Sequence, residues 1–545
     1  MCGIFIYLAC NNINFDKIFN NFKNIRSRGP DNLIFLNEIN KYILGFTRLS
    51  IIDTSTRGNQ PFEYYDNEIK YTCICNGEIY NAEDLKKLVK FNFKSSSDCE
   101  VLIPLYLKYN TNMISYLDGV FSFIIIKESK QEIQYFIVRD RIGVRPLYKG
   151  VDEFGQFIYA SELKAMKDIA NIASQFDPGA YELITKNNYT NEISLIRNKY
   201  YDVSSNLLKN YKVFENENEI YSLINQKLTE AVKKRLISDR PICALLSGGL
   251  DSSLVCSIAS RLLKEKGIPL YTFSIGIDGS PDNIYAKKVA DYIGSIHTTV
   301  NITQDEALNS LKDVIWATET FDITTIRAST GQYLISKYIS ENTNYKVVLS
   351  GDGSDEVTSG YLENFLAPSL QELEYNAIER VKNIHYYDVL RADRATSVHG
   401  LELRVPFLDV SFVDFYLKIN PKLRQPIKNI YCEKFLLRKA FEDNYLPKEV
   451  LWRQKEAFSD GISSIENSWY KIINNMCDKM INDFELLNNP FYNCRPKTKE
   501  SYYYRQVFTQ MYSNKFNNII PNFWMPKWSN SNDPSARCLD IYNNL

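Results

Sequence analysis

The pattern of hydrophobic and polar positions changes sharply near residue 240. Pro241 to Leu246 is a short apolar run, long enough for a buried strand. Beyond a glycine-rich break, apolar residues fall at Leu254, Val255, Ile258, Ala259, Leu262 and Leu263, which is helical spacing. The stretch therefore reads as strand, tight loop, helix. Tyr271 to Gly276 reads as the next strand, and helical and strand patterns go on alternating after it. That alternation predicts a parallel α/β sheet with ligands at the carboxyl ends of its strands. Upstream, Ile220 to Leu236 reads as an amphipathic helix, and Met1 to Cys10 is apolar enough for a first strand. Between 182 and about 220, Asn, Lys, Glu, Ser and Tyr dominate without an apolar period. The expected division is a unit over 1–198, a linker over 199–218 and a second unit over 219–545.

Composition narrows the class without naming a function. The 545 residues are 45% hydrophobic and 24% charged, as in ordinary globular proteins of several domains. The formal net charge is -1 and there is no basic block, so nucleic acid is not an expected partner. Eleven cysteines without CxxC pairs point to reduced thiols and a cytoplasmic setting. The three histidines, His297, His385 and His399, lie far apart, against a zinc site. No apolar run approaches the ~20 residues that span a bilayer, so no membrane partner is expected. The amino-terminal run is short and lacks the positive flank of a signal peptide.

The loop after Leu246 carries the first chemistry. Gly248 and Gly249 let backbone N–H groups approach a ligand, Ser247, Ser252 and Ser253 add hydroxyls, and the helix amino terminus adds positive potential. Together these make an anion site, although the bare spacing is equally that of a serine-capped glycine turn. The Gly-Lys-Ser/Thr ending of the common ATP loop is missing. Ser247-Gly248-Gly249-Leu250-Asp251-Ser252 resembles the pyrophosphate loop of the N-type ATP pyrophosphatases, which transfer AMP to a carboxylate. The resemblance implies that the serines and glycines hold pyrophosphate and that Asp251 helps bind Mg²⁺.

At the amino terminus, loss of Met1 would leave Cys2 with a thiol and a free α-amine able to serve as its base. Singly, Cys2 could be a buried strand cysteine, Asn76-Gly77 a hairpin turn, Arg48 a surface charge and Asp98 a helix cap. Arg28-Gly29-Pro30-Asp31, Arg48 to Asp53, Asn76 to Asn81, Ser97 to Glu100, Arg139 to Tyr148 and Ser161 to Lys164, in that order, resemble the class II glutamine amidotransferases. The resemblance implies an α+β amino-terminal nucleophile hydrolase sandwich, two antiparallel sheets between helices, before the α/β parallel-sheet ATP pyrophosphatase domain. It implies that Cys2 attacks the glutamine amide, that Asn76 and the Gly77 N–H form the oxyanion hole, and that Arg48, Ile51, Glu78 and Asp98 bind glutamine.

Glu319 to Ser329, Val347 to Glu356, Arg404 to Asp409 and Trp452 to Gly461 narrow the resemblance to glutamine-hydrolysing asparagine synthetases, over roughly residues 1 to 465. It implies ATP, aspartate and glutamine as substrates, Mg²⁺ as cofactor and a homodimer. ATP is expected against Leu245, Ser247, Gly248, Gly249, Asp251, Ser252, Ile275, Ser350, Gly351 and Lys455. Aspartate is expected against Thr324, Thr325 and Arg327, with Mg²⁺ on Asp251 and Asp355. Asp352 stands where the family carries glutamate, the expected base for incoming ammonia. Further departures are His297-Thr298-Thr299, Gly331-Gln332, Leu366 and Asp393-Arg394. The substitutions at Gly331-Gln332, Leu366 and Asp393 read as one site altered as a unit. Two alternatives stay open: an amidotransferase of the same build acting on another carboxylate, and a descendant with weakened or lost activity.

Overall fold

The computed structural model describes residues 1–8, 14–209, 213–277, 279–456, 458–464 and 466–542. Two antiparallel six-stranded sheets come first. One has Gly3–Tyr7 between Tyr42–Arg48 and Phe157–Ala160; the other is centred on Ile69–Ile79, Gly119–Glu128 and Glu132–Arg139. Residues 9 and 10 of the expected first strand lie outside the described residues.

The strand Gly119–Glu128 shows why the sheets stack. Its sequence runs Val-Phe-Ser-Phe-Ile-Ile-Ile with no polar face, as a strand covered on both sides requires. Ile124 and Ile126 point to the other sheet, meeting Ile4, Ile6, Leu44 and Phe46. Phe121, Phe123 and Ile125 point the opposite way, onto Leu102, Leu105 and Tyr106 of the helix Leu102–Tyr109. Each such fully buried side chain contributes about 1.5–3 kcal/mol.

The second unit is a five-stranded parallel sheet in the order Ile296–Ile302, Tyr271–Ile277, Ile242–Leu245, Val347–Leu349, Glu402–Arg404. Ile242–Leu245 is central, and the chain goes to one side of it and later to the other, so a crevice opens at its carboxyl end. The expected strand–loop–helix is present, with the helix at Leu250–Lys264. Gly248 takes φ +77, and a Cβ there would lie 2.5 Å from the Ala286 nitrogen. The two units meet over an extensive core in which Ile18 and Phe22 join Phe321, Trp469 and Phe508. No helix among the described residues is long and apolar enough to cross a membrane.

Candidate active sites

A small cavity, about 30 Å³, lies at the start of the first strand. Cys2 lines it, its Sγ 3.7 Å from the Leu49 carbonyl oxygen. Burial raises this thiol to about 11 while Met1 heads the chain. Met1 is itself buried; its amine sits 3.4 Å from the Leu401 carbonyl oxygen and is pushed down to about 5 by burial. The Cys2 nitrogen is then a peptide nitrogen and cannot act as a base.

The sheet presents Asn76 and Gly77 on the strand Ile69–Ile79. The Asn76 side chain is fully buried, and neither of its amide atoms has a hydrogen-bond partner among the described residues. Such a group costs about 1–3 kcal/mol to leave unpaired, a cost that an acceptor oxygen reaching Nδ2 would relieve in part, although Asn76 itself is not on the cavity wall. A Cβ at Gly77 would lie 2.3 Å from the Val120 carbonyl oxygen, so only glycine fits. Glu78 and Asp98 line the cavity, Asp98 accepting the Ile79 N–H at 2.7 Å. Burial raises both carboxyls above their ordinary range, and nearby Glu402 adds repulsion. A substrate ammonium would offset both effects. Ile51 lines the same cavity.

Arg48 reaches the cavity wall but is engaged by its own loop. Its Nη1 donates to the Ser55 carbonyl and to Asn59 Oδ1, each at 2.7 Å, and its Nη2 donates to the Asp53 carbonyl. It thereby fixes the loop that carries Ile51. Glu402 is a wall residue that sequence reasoning missed, supplied by the other unit. It bonds Arg404 at 2.8 Å, and Arg404 stands 3.3 Å from Glu78. The edge strand of the parallel sheet thus forms part of the smaller cavity.

The larger cavity, about 190 Å³, fills the crevice at the carboxyl ends of the central strands. Leu245, Ser247, Gly249, Asp251 and Ser252 enter from the glycine loop, and Ile275 beside Phe273 offers an apolar wall for a flat ring. Ser350, Gly351 and Asp352 follow the strand Val347–Leu349. Ser252 Oγ accepts the Ser247 N–H at 3.1 Å, closing the loop on itself. A Cβ at Gly351 would lie 2.6 Å from the Ser252 nitrogen, so the two loops approach as closely as glycine allows. Gly248 lies behind the wall, its carbonyl accepting from Arg453 at 3.3 Å.

Of the three residues expected at aspartate, only Thr324 reaches this cavity. Thr325 instead donates its N–H and hydroxyl to Asp322, at 2.8 and 2.7 Å, capping the helix Ile323–Asn342. Arg327 faces away, its guanidinium forked between Glu500 at 2.5 Å and Asp533 at 2.7 Å. With four of its five N–H groups bonded to two carboxylates, and buried behind the wall, this guanidinium is already neutralised and is not turned towards a substrate carboxylate in the cavity. The carboxyl-terminal stretch that supplies Asp533 also places Trp524, Pro534 and Ala536 on the cavity, a role no sequence pattern revealed.

Charge in the cavity is organised around a residue the sequence did not single out. Lys434 Nζ lies 2.6 Å from both Asp251 Oδ2 and Asp355 Oδ1, while Lys455 Nζ lies 2.7 Å from Asp355 Oδ2. Lys434 and Lys455 hold the Asp355 carboxyl well below its usual range against the opposing cost of burial, and Asp355 raises Lys455 in return. The departures at 331–332, 366 and 393 do not form one site. Gln332 lines the cavity; Leu366 is exposed and outside it; Asp393 is bonded to Arg28 of the first unit.

A cysteine-bearing cavity on a double antiparallel sheet and a serine–glycine anion loop on a parallel one, in one chain, define a glutamine amidotransferase joined to an ATP-consuming synthetase. Comparison with known families agrees: a glutamine amidotransferase domain matches residues 1–218, and asparagine synthase matches 223–379 and 368–531. The chain is 41% identical over 569 residues to the glutamine-hydrolysing asparagine synthetase of Homo sapiens, covering 99% of each. The Mesocricetus auratus enzyme is 42% identical over 566 residues and the Gallus gallus enzyme 40% over 573, with 99% of each chain covered. The chain belongs to the family of glutamine-hydrolysing asparagine synthetases.

Proposed function

We propose that the chain makes asparagine from aspartate, glutamine and ATP, with the smaller cavity releasing ammonia and the larger one consuming it. The observation that carries this reading is the strand pair Val347–Leu349 and Glu402–Arg404. One strand leads into Ser350 to Asp352 at the adenylating cavity, and the other places Glu402 on the Cys2 cavity.

At the smaller cavity the Cys2 thiolate attacks the glutamine side-chain carbonyl, with the α-amine freed by removal of Met1 taking the thiol proton. Asn76 and the Gly77 N–H receive the oxyanion; the α-ammonium returns its proton to the amide nitrogen, the C–N bond breaks, ammonia leaves, and water hydrolyses the thioester to glutamate. Glu78 and Asp98 receive the substrate ammonium. At the larger cavity the aspartate β-carboxylate attacks the α-phosphorus of ATP, and pyrophosphate leaves towards Lys455 and the loop N–H groups. Ammonia then attacks the acyl carbon of β-aspartyl-AMP, Asp352 takes a proton, and AMP departs. Asp251 and Asp355 fit Mg²⁺, since their carboxylates converge on one point, now held by Lys434 Nζ at 2.6 Å from each. The ion supplies charge neutralisation at the phosphates. A homodimer is part of the same reading, and light scattering checks it.

The test is purified protein given ATP, glutamine and aspartate, followed for asparagine, AMP and pyrophosphate. A panel of other carboxylates in place of aspartate, with AMP as readout, would expose a different acceptor.

A further inference from the structure

Asp352, Gln332 and Arg391 close a ring of hydrogen bonds on the wall of the larger cavity. Arg391 Nη2 donates to Asp352 Oδ1 at 2.7 Å, and Arg391 Nη1 donates to Gln332 Oε1 at 2.9 Å. Gln332 Nε2 completes the ring, donating to Asp352 Oδ2 at 3.2 Å. The chemistry allows only one orientation of the amide. A guanidinium can only donate and a carboxylate only accept, so Oε1 must face Arg391 and Nε2 must face Asp352. Gln332 is 2% exposed and stands inside the 20-residue helix Ile323–Asn342, so its amide is held on a rigid element.

The ring matters because Arg391 is shared. Its Nη2 and Nε also donate to Asp388 Oδ1, at 2.8 and 3.1 Å. By itself, Arg391 would be drawn between two carboxylates and would not fix the direction of either. Ser350 Oγ holds Asp352 Oδ2 from the loop side at 2.5 Å, and the Gln332 amide holds the same oxygen from the helix side. With Oδ2 taken twice, Oδ1 receives Arg391 alone among the described residues and keeps one lone pair for a proton.

We propose that Gln332 is a positioning residue for asparagine formation, aiming the Asp352 carboxylate so that Oδ1 accepts the ammonia proton. The assignment rests on the reading of Asp352 as the base. Methionine matches glutamine in length but cannot donate to Asp352 and accepts only weakly from Arg391, so Gln332→Met breaks the ring while preserving volume.

A double-mutant cycle tests it, with ammonium as nitrogen source and asparagine as readout, and with each protein's glutaminase rate reporting its integrity. Gln332→Met is expected to lower asparagine formation on the order of ten- to a hundredfold, through kcat more than the aspartate KM. In the Asp352→Asn background the same change should cost less than about twofold, because there is no base left to aim. Equal losses in both backgrounds would mean a merely structural role and overturn the proposal, as would no loss in the parent protein. Undiminished synthesis by Asp352→Asn alone would locate the failure in the reading of Asp352 as base.

Discussion

Arg28 of the first unit holds Asp393 of the second through two bonds, Nη1 to Oδ2 at 2.7 Å and Nη2 to Oδ1 at 3.2 Å, with both side chains sealed from solvent. Glu162 stands 2.5 Å from the same Nη1, Arg394 bonds Asp393 at 2.6 Å, and Glu319 and Lys164 complete the cluster. Three cations balance three anions in a space where neither sign could be left alone. Arg28 and Arg394 hold the Asp393 carboxyl well below its usual range despite the cost of burial.

Removing one member leaves an uncompensated buried charge. Asp393→Ala is expected to destabilise the protein by about 3–5 kcal/mol. Urea unfolding of the parent and variant measures the loss; a change below about 1 kcal/mol would mean that the cluster relaxes to admit water.

Separate cavities predict separable activities. Cys2→Ala should abolish glutamine-dependent asparagine formation, since no thioester can form. Synthesis from added ammonium should continue at close to the parent rate, because Cys2 lines the smaller cavity and not the larger one. Loss of both activities in a folded variant would contradict the division of labour.

Retention of Met1 should silence the glutaminase. With Met1 in place the Cys2 thiol lies at about 11, so at pH 7–8 it is protonated, and thiolate appears only as pH rises towards that value. Mass spectrometry of active protein should show Met1 gone. A variant with Met1 retained should be alkylated slowly by iodoacetamide at pH 7.5 and faster at pH 10. Full glutaminase activity in Met1-bearing molecules would refute the α-amine as base.

Asp352→Glu tests whether the larger cavity is built for aspartate. Three donors already meet the Asp352 carboxylate from Ser350, Gln332 and Arg391. A side chain one methylene longer would push its carboxylate through that ring by about 1 Å, a displacement that costs on the order of a hundredfold in rate. Asparagine formation should therefore fall while the glutaminase rate holds. A large rise would show that aspartate makes this a slow enzyme.

Much was legible in the sequence because it depends on short stretches of chain. The strand–loop–helix from Ile242 to Lys264 follows from an apolar run, two glycines and a helical period, and the loop chemistry follows from which residues the turn contains. Cys2, Gly77, Glu78 and Asp98 were recognisable because their stretches resemble a known family, and the fold brings all four to one cavity. What the sequence could not determine is which charges face which. Arg327 is a cation beside Thr324, yet its fork is taken by Glu500 and Asp533, more than 170 residues further on. Lys434 carries no local signal, and becomes a counter-ion only where the first turns of the helices Leu250–Lys264 and Ser354–Thr358 place Asp251 and Asp355 around it. Gln332 and Asp393, both departures from the resembling family, looked alike along the chain; tertiary packing sent one to Asp352 and the other to Arg28. Periodicity and turn chemistry act over a few residues, whereas ion pairing acts between whichever groups the folded chain brings within about 4 Å.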